Sequence, residues 1–247
     1  MSLLIGASSG LQGAAGSGGA ASDLGATIDQ GLRFISANST KLTKTLGTPT
    51  DRDKWSWSCW VKKAKFDEPG RQVLFGGFSS GTNNDWLEIG YEHTNELYYT
   101  SSGLTATSSG KYRDPSAWQH VAATWDGSNL KIYSNGVRVI NDTQLSGDVG
   151  INAAASHSIG QTPSTSHSRP FNGYICEMNF LDGTLVGETT TDGEEIIDEF
   201  GRYNDDGVWV PKEISFTSDQ YGNNGFRLTF DSTAGGGLGD DSAPTGG

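Results

Sequence analysis

The chain is poor in cysteine, in long apolar runs and in positive charge, and each shortage excludes a class of protein. Two cysteines among 247 residues do not make a disulfide framework. No run approaches the roughly 20 apolar residues of a membrane span, and no secretion signal is recognisable. The 17 basic and 29 acidic residues give a net charge of −12. This balance argues against nucleic acid as a partner, because phosphate binding needs a basic face.

Motifs for the commonest chemistries are also missing from the sequence. Its four histidines, His93, His120, His157 and His167, have no metal-ligand spacing. No Ser–His–Asp elbow and no phosphate-binding glycine loop are present. The usual hydrolase and nucleotide-binding classes therefore have no support in the sequence.

Glycine, by contrast, is abundant, and its 35 residues suit an all-β protein with many turns. Alternating apolar and polar runs recur about every 8 to 12 residues, which is typical of a β-sandwich, and a chain of this length fits one such domain. Besides the central hairpins, the predicted strands are 32–35, 40–42, 55–62, 72–78, 85–91, 96–101, 158–160, 171–180, 209–211 and 225–230.

Residues 118–140, WQHVAATWDGSNLKIYSNGVRVI, predict three antiparallel strands joined by two tight turns. Asn135-Gly136 is the stronger turn motif, because a type I′ turn needs a positive φ at both central residues. One face of these strands is mainly apolar and the other, which includes Ile140, is mixed, as in a sheet packed on one side. The turns predict four cross-strand pairs: Trp125–Leu130, Ala123–Ile132, Ile132–Val139 and Ser134–Val137.

The same alternation predicts the surroundings of the two cysteines. Cys59 faces inward along 55–62, while Trp60 faces the opposite side under a covering loop. Cys176 is predicted to face inward together with Tyr174, Met178 and Phe180. Both cysteines are therefore expected to be buried, reduced thiols that act as small hydrophobic residues.

Three motifs, in this order along the chain, carry a family resemblance. WSWSCWVK at 55–62 is similar to an early core strand, and FNGYICEMNF at 171–180 to a last long strand. Between them, WxHVA at 118–122 followed by LxIYxNG at 130–136 resembles the central hairpin of laminin-G-like domains in the concanavalin A-like lectin and glucanase group. The resemblance covers about residues 30 to 182 and implies an all-β, antiparallel two-sheet jelly-roll sandwich.

Three regions follow from this reading of the chain. Residues 28–182 are the sandwich, and residues 183–247 are a C-terminal extension with a short helix over 194–200, docking strands and a Gly-rich tail. Residues 1–27 are a Gly/Ala/Ser-rich arm that cannot bury enough surface to fold alone. The arm is either a flexible terminus, a segment folded back on its own sandwich, or an assembly element that becomes ordered on a neighbour. Its apolar anchors for the last case are Leu3, Leu4, Ile5 and Leu11.

The family resemblance also raises the questions of catalysis and of calcium. Glucanases of this fold place paired carboxylates on one strand, and no predicted strand here has their spacing. Glu88 and Glu92 are interpreted as solvated charges, so we expect no enzymatic activity and no cofactor. Many laminin-G-like domains bind Ca²⁺ at the sandwich rim. Asp85, Asp126 and Asp182 lie near predicted strand ends, so the sequence leaves open whether this chain binds Ca²⁺.

The flanks of the sandwich resemble a narrower group. QGLRF at 30–34, GVWVP at 207–211 and YGNNGF at 221–226 are similar to segments of virion proteins of tailed bacteriophages. This resemblance implies a non-enzymatic virion protein of a tail fibre, appendage or capsid, assembled in the host cytoplasm. Its partners would be other virion proteins and further copies of itself, with a trimer expected by analogy to phage fibres.

Two roles remain open for such a protein: attachment to a host surface glycan, or a purely structural decoration or scaffold module that binds no glycan. A glycan site needs exposed aromatic rings beside hydrogen-bonding side chains. The candidates are Trp86, Tyr91, Tyr98, Tyr99 and Tyr112.

Overall fold

The computed structural model describes residues 23–78, 86–101, 103–145, 149–163, 167–191, 194–231 and 237–244. Regular structure in these residues is nearly all β, because short alternating runs are separated by turn-forming residues. The helical elements described are one turn of 3-10 helix at Ser36–Asn38 and one turn of α-helix, α1, at Ser218–Tyr221. The strands, in chain order, are β1 (Leu32–Phe34), β2 (Leu42–Thr45), β3 (Trp55–Lys63), β4 (Gln72–Phe78), β5 (Trp86–Tyr91), β6 (Glu96–Ser101), β7 (Leu104–Lys111), β8 (Gln119–Trp125), β9 (Leu130–Ser134), β10 (Val137–Asp142), β11 (Ser156–Ile159), β12 (Gly173–Asp182), β13 (Thr189–Thr191), β14 (Glu194–Ile196), β15 (Gly201–Tyr203), β16 (Trp209–Pro211) and β17 (Phe226–Leu228).

Two antiparallel sheets pack face to face. The larger sheet has the strand order β1-β12-β3-β8-β9-β10-β14-β13, and β17 also pairs with β12. The smaller sheet has the order β2-β11-β4-β5-β6-β7, and β15 and β16 form a hairpin of their own. We call the sheet faces that meet in the core inner and the opposite faces outer. This arrangement confirms the predicted all-β, two-sheet jelly-roll sandwich.

Aromatic rings fill the space between the two inner faces. Trp55, Trp57 and Trp125 are fully buried there. Trp57 stacks on Phe75 with a centroid distance of 5.6 Å, and Phe180 packs on the same ring at 5.7 Å. Period-two alternation along β3 and β8 turns these rings inward, and burying one such side chain stabilises the fold by roughly 1.5–3 kcal/mol.

The central hairpins follow the predicted register with one exception. A β-bulge between Arg138 and Ile140 makes Ile132 pair with Ile140, so the predicted Ile132–Val139 pair is wrong. The extra residue lets both Val139 and Ile140 contact the core, although Ile140 was predicted on the opposite face. The confirmed pairs are Trp125–Leu130, Ala123–Ile132 and Ser134–Val137.

A second bulge, in β12, reverses the predicted direction of Cys176. The pairing with β3 shifts between Cys176 and Asn179, and Glu177 adopts a left-handed backbone with a φ of 43°. Met178 and Phe180 therefore face the core as predicted, whereas Cys176 lies on the outer face. The inward prediction is also wrong for Tyr174, which is 41% exposed. An inserted residue changes which side of a strand the following side chains occupy, and alternation alone does not reveal it.

The two thiols thus lie on opposite faces of the larger sheet. Cys59 belongs to the core between the sheets, and Cys176 packs with Trp60 on the outer face. Both are free and buried, as predicted, and burial raises the pKa of each thiol. Trp60 is covered as expected, by Trp209 of the C-terminal extension.

The C-terminal extension adds strands to the larger sheet instead of the predicted helix. Glu194–Ile196 is β14, and Ile196 pairs with Val137 of β10. The backbone groups of a sheet edge offer hydrogen bonds that a short, acidic helix would forgo. The next residue, Ile197, continues the contact because its N–H donates to the carbonyl of Gly136 at 3.0 Å.

The extension also covers the outer face of the larger sheet. Ala122 and Tyr133 on that face pack with Ile197, Phe200 and Tyr221 of the extension in a second apolar cluster. The prediction of a sheet packed on one side only is therefore wrong. The mixed character of the outer-face residues reflects a smaller second core and not exposure to solvent.

The N-terminal segment that the structure describes lies against the same extension. The N–H of Ala26 donates to the carbonyl of Pro211 at 2.8 Å, and Asp23 forms an ion pair with Arg202. Residues 23–27 of the predicted arm therefore fold onto their own chain. The predicted anchors Leu3, Leu4, Ile5 and Leu11 lie outside the described residues. No helix in the described ranges is long and apolar enough to cross a membrane.

Candidate functional site: the outer face of the smaller sheet

Strands β5 and β6 present aromatic and charged side chains on the outer face of the smaller sheet. Leu87, Ile89 and Tyr91 of β5 face the core, so the residues between them face outward. The antiparallel register places Glu88 opposite Thr100 and Gly90 opposite Tyr98. The outward side chains of these two strands are Trp86, Glu88, Glu96, Tyr98 and Thr100.

A cleft of about 290 Å³ opens on this face. Its floor comes from the ends of β4 and β5, and its wall comes from the segment that follows β11. We call it the outer-face cleft, and it is lined by Phe78, Trp86, Glu88, Thr162, Pro163, His167 and Arg169. Trp86 is half-buried, so one part of its ring remains available to a ligand.

An ion pair between Arg169 and Glu88 crosses the cleft. Glu88 has a side chain that is only 3% exposed, so the prediction that it is a solvated charge is wrong. The guanidinium of Arg169 covers it and also lies 5.9 Å from the ring of Trp86. A buried carboxylate is tolerated where a charged partner of this kind satisfies it.

Backbone hydrogen bonds hold Arg169 in place. Its carbonyl accepts a hydrogen bond from Val73 N–H at 3.0 Å, and its N–H donates to Gln161 Oε1 at 2.7 Å. The segment thus runs beside β4 and directs the guanidinium over the sheet. The site is therefore built before any ligand arrives, which reduces the entropy cost of binding.

A second arginine–glutamate ion pair lies on the same outer face. Arg71 and Glu92 are 2.7 Å apart, and the Glu92 side chain is only 12% exposed, so the prediction of a solvated charge is wrong here too. The Arg71 guanidinium lies 4.7 Å above the ring of Tyr98. The Tyr98 hydroxyl is buried and has no hydrogen-bond partner among the described residues. Burial, with the carboxylate of Glu88 nearby, raises the pKa of Tyr98 well above its ordinary value, so the hydroxyl stays protonated.

The predicted aromatic candidates separate into two groups. Trp86 and Tyr98 share the outer face, but Tyr98 is buried beneath Arg71. Tyr91 and Tyr99 point into the core instead, because they stand at the alternate positions of β5 and β6. Tyr112 packs edge-on against Tyr91 at the end of the sandwich, at 6.3 Å.

Sequence reasoning missed Arg169 and Arg71 as parts of this face. Both stand outside the predicted strands, and neither belongs to a motif. Their contribution depends on how loops cross the sheet, which alternation along a strand does not encode. The unusual observation that Glu88 interrupts an otherwise apolar strand was the available clue that a cation would cover it.

The aspartates considered for calcium have other contacts in the structure. Asp182 is fully buried and accepts hydrogen bonds from Thr50 N–H, Asn152 Nδ2 and Asn224 N–H at 2.7, 2.7 and 3.0 Å. Asp126 accepts from backbone N–H groups in its own turn. Donor groups aimed at a carboxylate take the place of a cation. Asp85 lies outside the described residues, which contain no cluster of three or more metal-ligating side chains.

Comparison with known proteins identifies the superfamily of the sandwich. A family model described as the concanavalin A-like lectin/glucanases superfamily matches residues 36–190, more than half of the chain. A search of curated proteins finds no match. Among solved structures, the chain is similar to domain 4 of an extracellular arabinanase from Geobacillus stearothermophilus in complex with arabinotriose. The identity is 26%, the TM-score is 0.43, and 56% of this chain and 64% of that one are covered.

Two further structures illustrate the range of similar proteins. One is the CBM40 of an IT-sialidase from Ruminococcus gnavus, with 12% identity, a TM-score of 0.45, and coverage of 60% of this chain and 94% of that one. The other is tailspike protein 2 of an Escherichia coli bacteriophage, with 11% identity, a TM-score of 0.45, and coverage of 64% and 23%. The chain thus spans just under two thirds of the arabinanase domain and about a quarter of the tailspike.

Proposed function

Because the chain belongs to the concanavalin A-like lectin/glucanase superfamily, we propose that it is a non-enzymatic carbohydrate-binding protein. Its saccharide site is the outer-face cleft around Trp86. The observation that carries this proposal is the aromatic ring beside the Glu88–Arg169 pair, on a rigid sheet. Protein sites for small ligands combine an apolar wall with a few convergent polar groups in this way.

The polar groups of the cleft suit hydroxyl-rich ligands. Glu88 holds the guanidinium of Arg169 from below, and the outward N–H groups of Arg169 donate to hydroxyl oxygens of the sugar. The ring of Trp86 covers the apolar face of the sugar. Since the two charges balance each other, the cleft favours a neutral saccharide.

The carboxylates of this face support binding and not hydrolysis. Glu88 and Glu92 are four positions apart along β5 and its end, which is roughly 13 Å of extended chain. A glycosidase pair needs about 5 to 9.5 Å. Each of the two is held by an arginine. Glu96, the third, has a pKa of about 2, because Thr94 donates to it and Lys111 pairs with it, so it is no general acid.

The resemblance of the flanks to phage proteins supports the biological setting we propose. The chain is a virion protein of a tail fibre, appendage or capsid that attaches to a glycan of the host surface. It assembles in the host cytoplasm with other virion proteins and as a homo-oligomer, with a trimer expected. The binding of a neutral saccharide by the sandwich itself does not depend on this setting.

A glycan array probed with the purified protein, followed by calorimetry, tests the proposal. We expect binding to a neutral saccharide, and we expect Trp86→Ala to weaken it at least tenfold with an unchanged melting temperature. Tyr174→Ala is the matched control, because Tyr174 is 41% exposed on the larger sheet. Unchanged saccharide binding by Trp86→Ala would show that the outer-face cleft is not the saccharide site. An array without any bound saccharide would overturn the proposal in favour of a purely structural module.

A further inference from the structure

A second cleft, of about 360 Å³, lies at the end of the sandwich where the two sheets meet. It is formed by the end of β3, the end of β7, the following loop and the start of β8. We call it the end cleft. Among its lining residues are Lys63, Lys111, Tyr112, Arg113, Trp118 and Gln119. Three cations therefore border this concave surface, together with one carboxylate, Asp114. Asp114 Oδ1 accepts hydrogen bonds from the N–H and the hydroxyl of Ser116 at 2.8 and 2.6 Å.

Lys63 is the unusual member of this group. It is only 5% exposed, and lysine is rarely buried without a charged partner. Its ammonium has three donors, of which one donates to Asn95 Oδ1 at 2.5 Å. The rings of Tyr91 and Phe66 lie 4.7 and 5.2 Å away. Lys63 forms no salt bridge within the described part of the chain.

Arg113 faces the same space from the loop after β7. The contact recorded for its guanidinium is a long hydrogen bond, 3.4 Å, to the carbonyl of Thr94. Like Lys63, it has no carboxylate partner among the described residues. Lys111 differs, because it pairs with Glu96 at 3.1 Å. Two uncompensated cations therefore border one cleft.

The walls of the end cleft supply the other elements of a binding site. Trp118 is half-buried and contributes an aromatic wall. Gln119 is fixed from both sides, since it accepts from the Tyr91 hydroxyl at 2.7 Å and donates to the Ser134 hydroxyl at 2.9 Å. Gln119 is therefore held in a fixed position, while Lys63 and Arg113 have no carboxylate partner among the described residues.

We propose that the end cleft binds the oxyanion group, carboxylate or sulfate, of an acidic saccharide between Lys63 and Arg113, with the sugar ring against Trp118. The saccharide part of this proposal rests on the function proposed above, and the oxyanion part does not. Charge-assisted hydrogen bonds from two unpaired cations are about twice as strong as neutral ones. The end cleft therefore selects acidic ligands, in contrast to the balanced outer-face cleft.

The electrostatics of Lys63 favour the binding of an anion. Burial and the nearby Arg113 lower its pKa to about 8, against the opposing effects of Glu96 and Glu68. Tyr91, the ring beneath it, has a pKa raised well above the ordinary value by burial and does not titrate in this range. A bound anion favours the ammonium and raises the pKa of Lys63. Affinity for an anion is thus highest below pH 7 and falls as the pH rises through 8.

The test compares glucuronate with glucose, and includes inorganic sulfate, by NMR titration of the full chain at pH 6.5 and pH 9. We expect glucuronate to bind at least tenfold more tightly than glucose, sulfate to compete with it, and the affinity to drop at pH 9. Arg113→Gln should reduce glucuronate binding at least tenfold. Lys54→Gln is the matched control, since Lys54 is an exposed lysine at the opposite end of β3. Lys63→Met should show the same loss where its melting temperature shows it folded, and the Arg113→Gln comparison holds whether or not Lys63→Met folds.

The outcome is independent of the outer-face cleft. Trp86→Ala should leave glucuronate binding unchanged, so failure of one site does not imply failure of the other. Equal affinities for glucuronate and glucose, or equal binding by the wild type and Arg113→Gln, would overturn the proposal. Sulfate that binds without competing with glucuronate would also overturn it, because the two would then occupy different places.

Discussion

At the scale of single residues, the most informative side chain is the buried His120. Both ring nitrogens lack a hydrogen-bond partner among the described residues. The ring is instead surrounded by Trp60, Phe200 and Trp209 at centroid distances of 5.2, 5.9 and 6.0 Å. Trp60 belongs to β3, whereas Phe200 and Trp209 come from the extension, so the pattern around His120 does not reveal this aromatic environment.

The burial of His120 predicts a pH dependence of stability. Burial lowers its pKa to about 3, and the pKa of the buried His157 to about 4. The unfolded chain binds these protons near pH 6.5, whereas the folded chain does not, so stability falls as the pH drops below about 6.5. Each histidine contributes about 1.4 kcal/mol per pH unit until its folded pKa is reached.

The variant His120→Phe isolates this effect. It removes two unsatisfied buried nitrogens and keeps the ring, so we expect equal or higher stability at pH 7. The loss of stability between pH 6 and pH 4 should become shallower by about 1.4 kcal/mol per pH unit. Chemical denaturation at several pH values measures both quantities, and His93→Phe at an exposed position is the control. A large loss of stability at pH 7 would contradict the apolar environment described here.

At the scale of elements, the sequence predicted strands well where alternation is strict and failed where a residue is inserted. In β3, strict alternation correctly predicted the inward direction of Cys59, which lies in the core with Trp55 and Trp57. The bulges at Arg138 and Glu177 were missed, because an extra residue leaves the hydrophobic composition unchanged. The Thr/Ser-rich β7 was missed as well, since its alternation is weak. β14 was taken for a helix because Ile196, Ile197 and Phe200 are at helical spacing.

The docking of the extension on the β9–β10 turn gives a prediction about elements. Gly136 has a φ of +83°, and a Cβ there would lie 2.4 Å from the Trp209 ring. Gly127, in the preceding turn, has a φ of +85°, but a Cβ there would meet Asp53 at 3.2 Å. Both Gly→Ala changes impose the strain of a positive φ, roughly 1 kcal/mol. Only Gly136→Ala also displaces Trp209, so it should cost about 1–3 kcal/mol more.

A double-mutant cycle on unfolding free energy checks this docking. In a Trp209→Ala background, the additional cost of Gly136→Ala should disappear, whereas the cost of Gly127→Ala should stay the same. Equal costs for the two glycine variants in the wild-type chain would show that the extension does not pack on the turn. The hairpin turn was predictable from Asn135-Gly136. The close approach of the Trp209 ring, which also favours glycine at position 136, was not predictable.

At the scale of the whole molecule, the sandwich was predictable and the additions to it were not. Motif order and alternation identified the two sheets and most of the core. The outer face of the smaller sheet carries Arg169 and Arg71, which reach it from loops. The extension covers the outer face of the larger sheet, which was predicted to be open. These features depend on contacts between segments that are distant in sequence, whereas a periodic pattern predicts only local structure.

The assembly role of the N-terminal arm belongs to the same scale. Residues 23–27 contact the chain's own extension, so a deletion of residues 2–22 preserves these contacts. We expect the deletion to leave the melting temperature unchanged and to reduce the mass measured by light scattering from oligomer to monomer. Composition supports this expectation, since a Gly/Ala/Ser-rich segment buries too little surface to fold alone and a partner would supply that surface. A truncated chain with the mass of the full chain would show that the arm is no assembly element.

The central claim, a saccharide site on the outer face of the smaller sheet, is tested most directly by NMR of the tryptophan indoles. The chain has seven tryptophans, and Trp86→Phe assigns the resonance of Trp86. On titration with the neutral saccharide selected by the glycan array, the indole N–H of Trp86 should shift, while those of the core residues Trp57 and Trp125 should not. A saccharide that binds without moving the Trp86 resonance, or that moves Trp118 instead, would contradict the account.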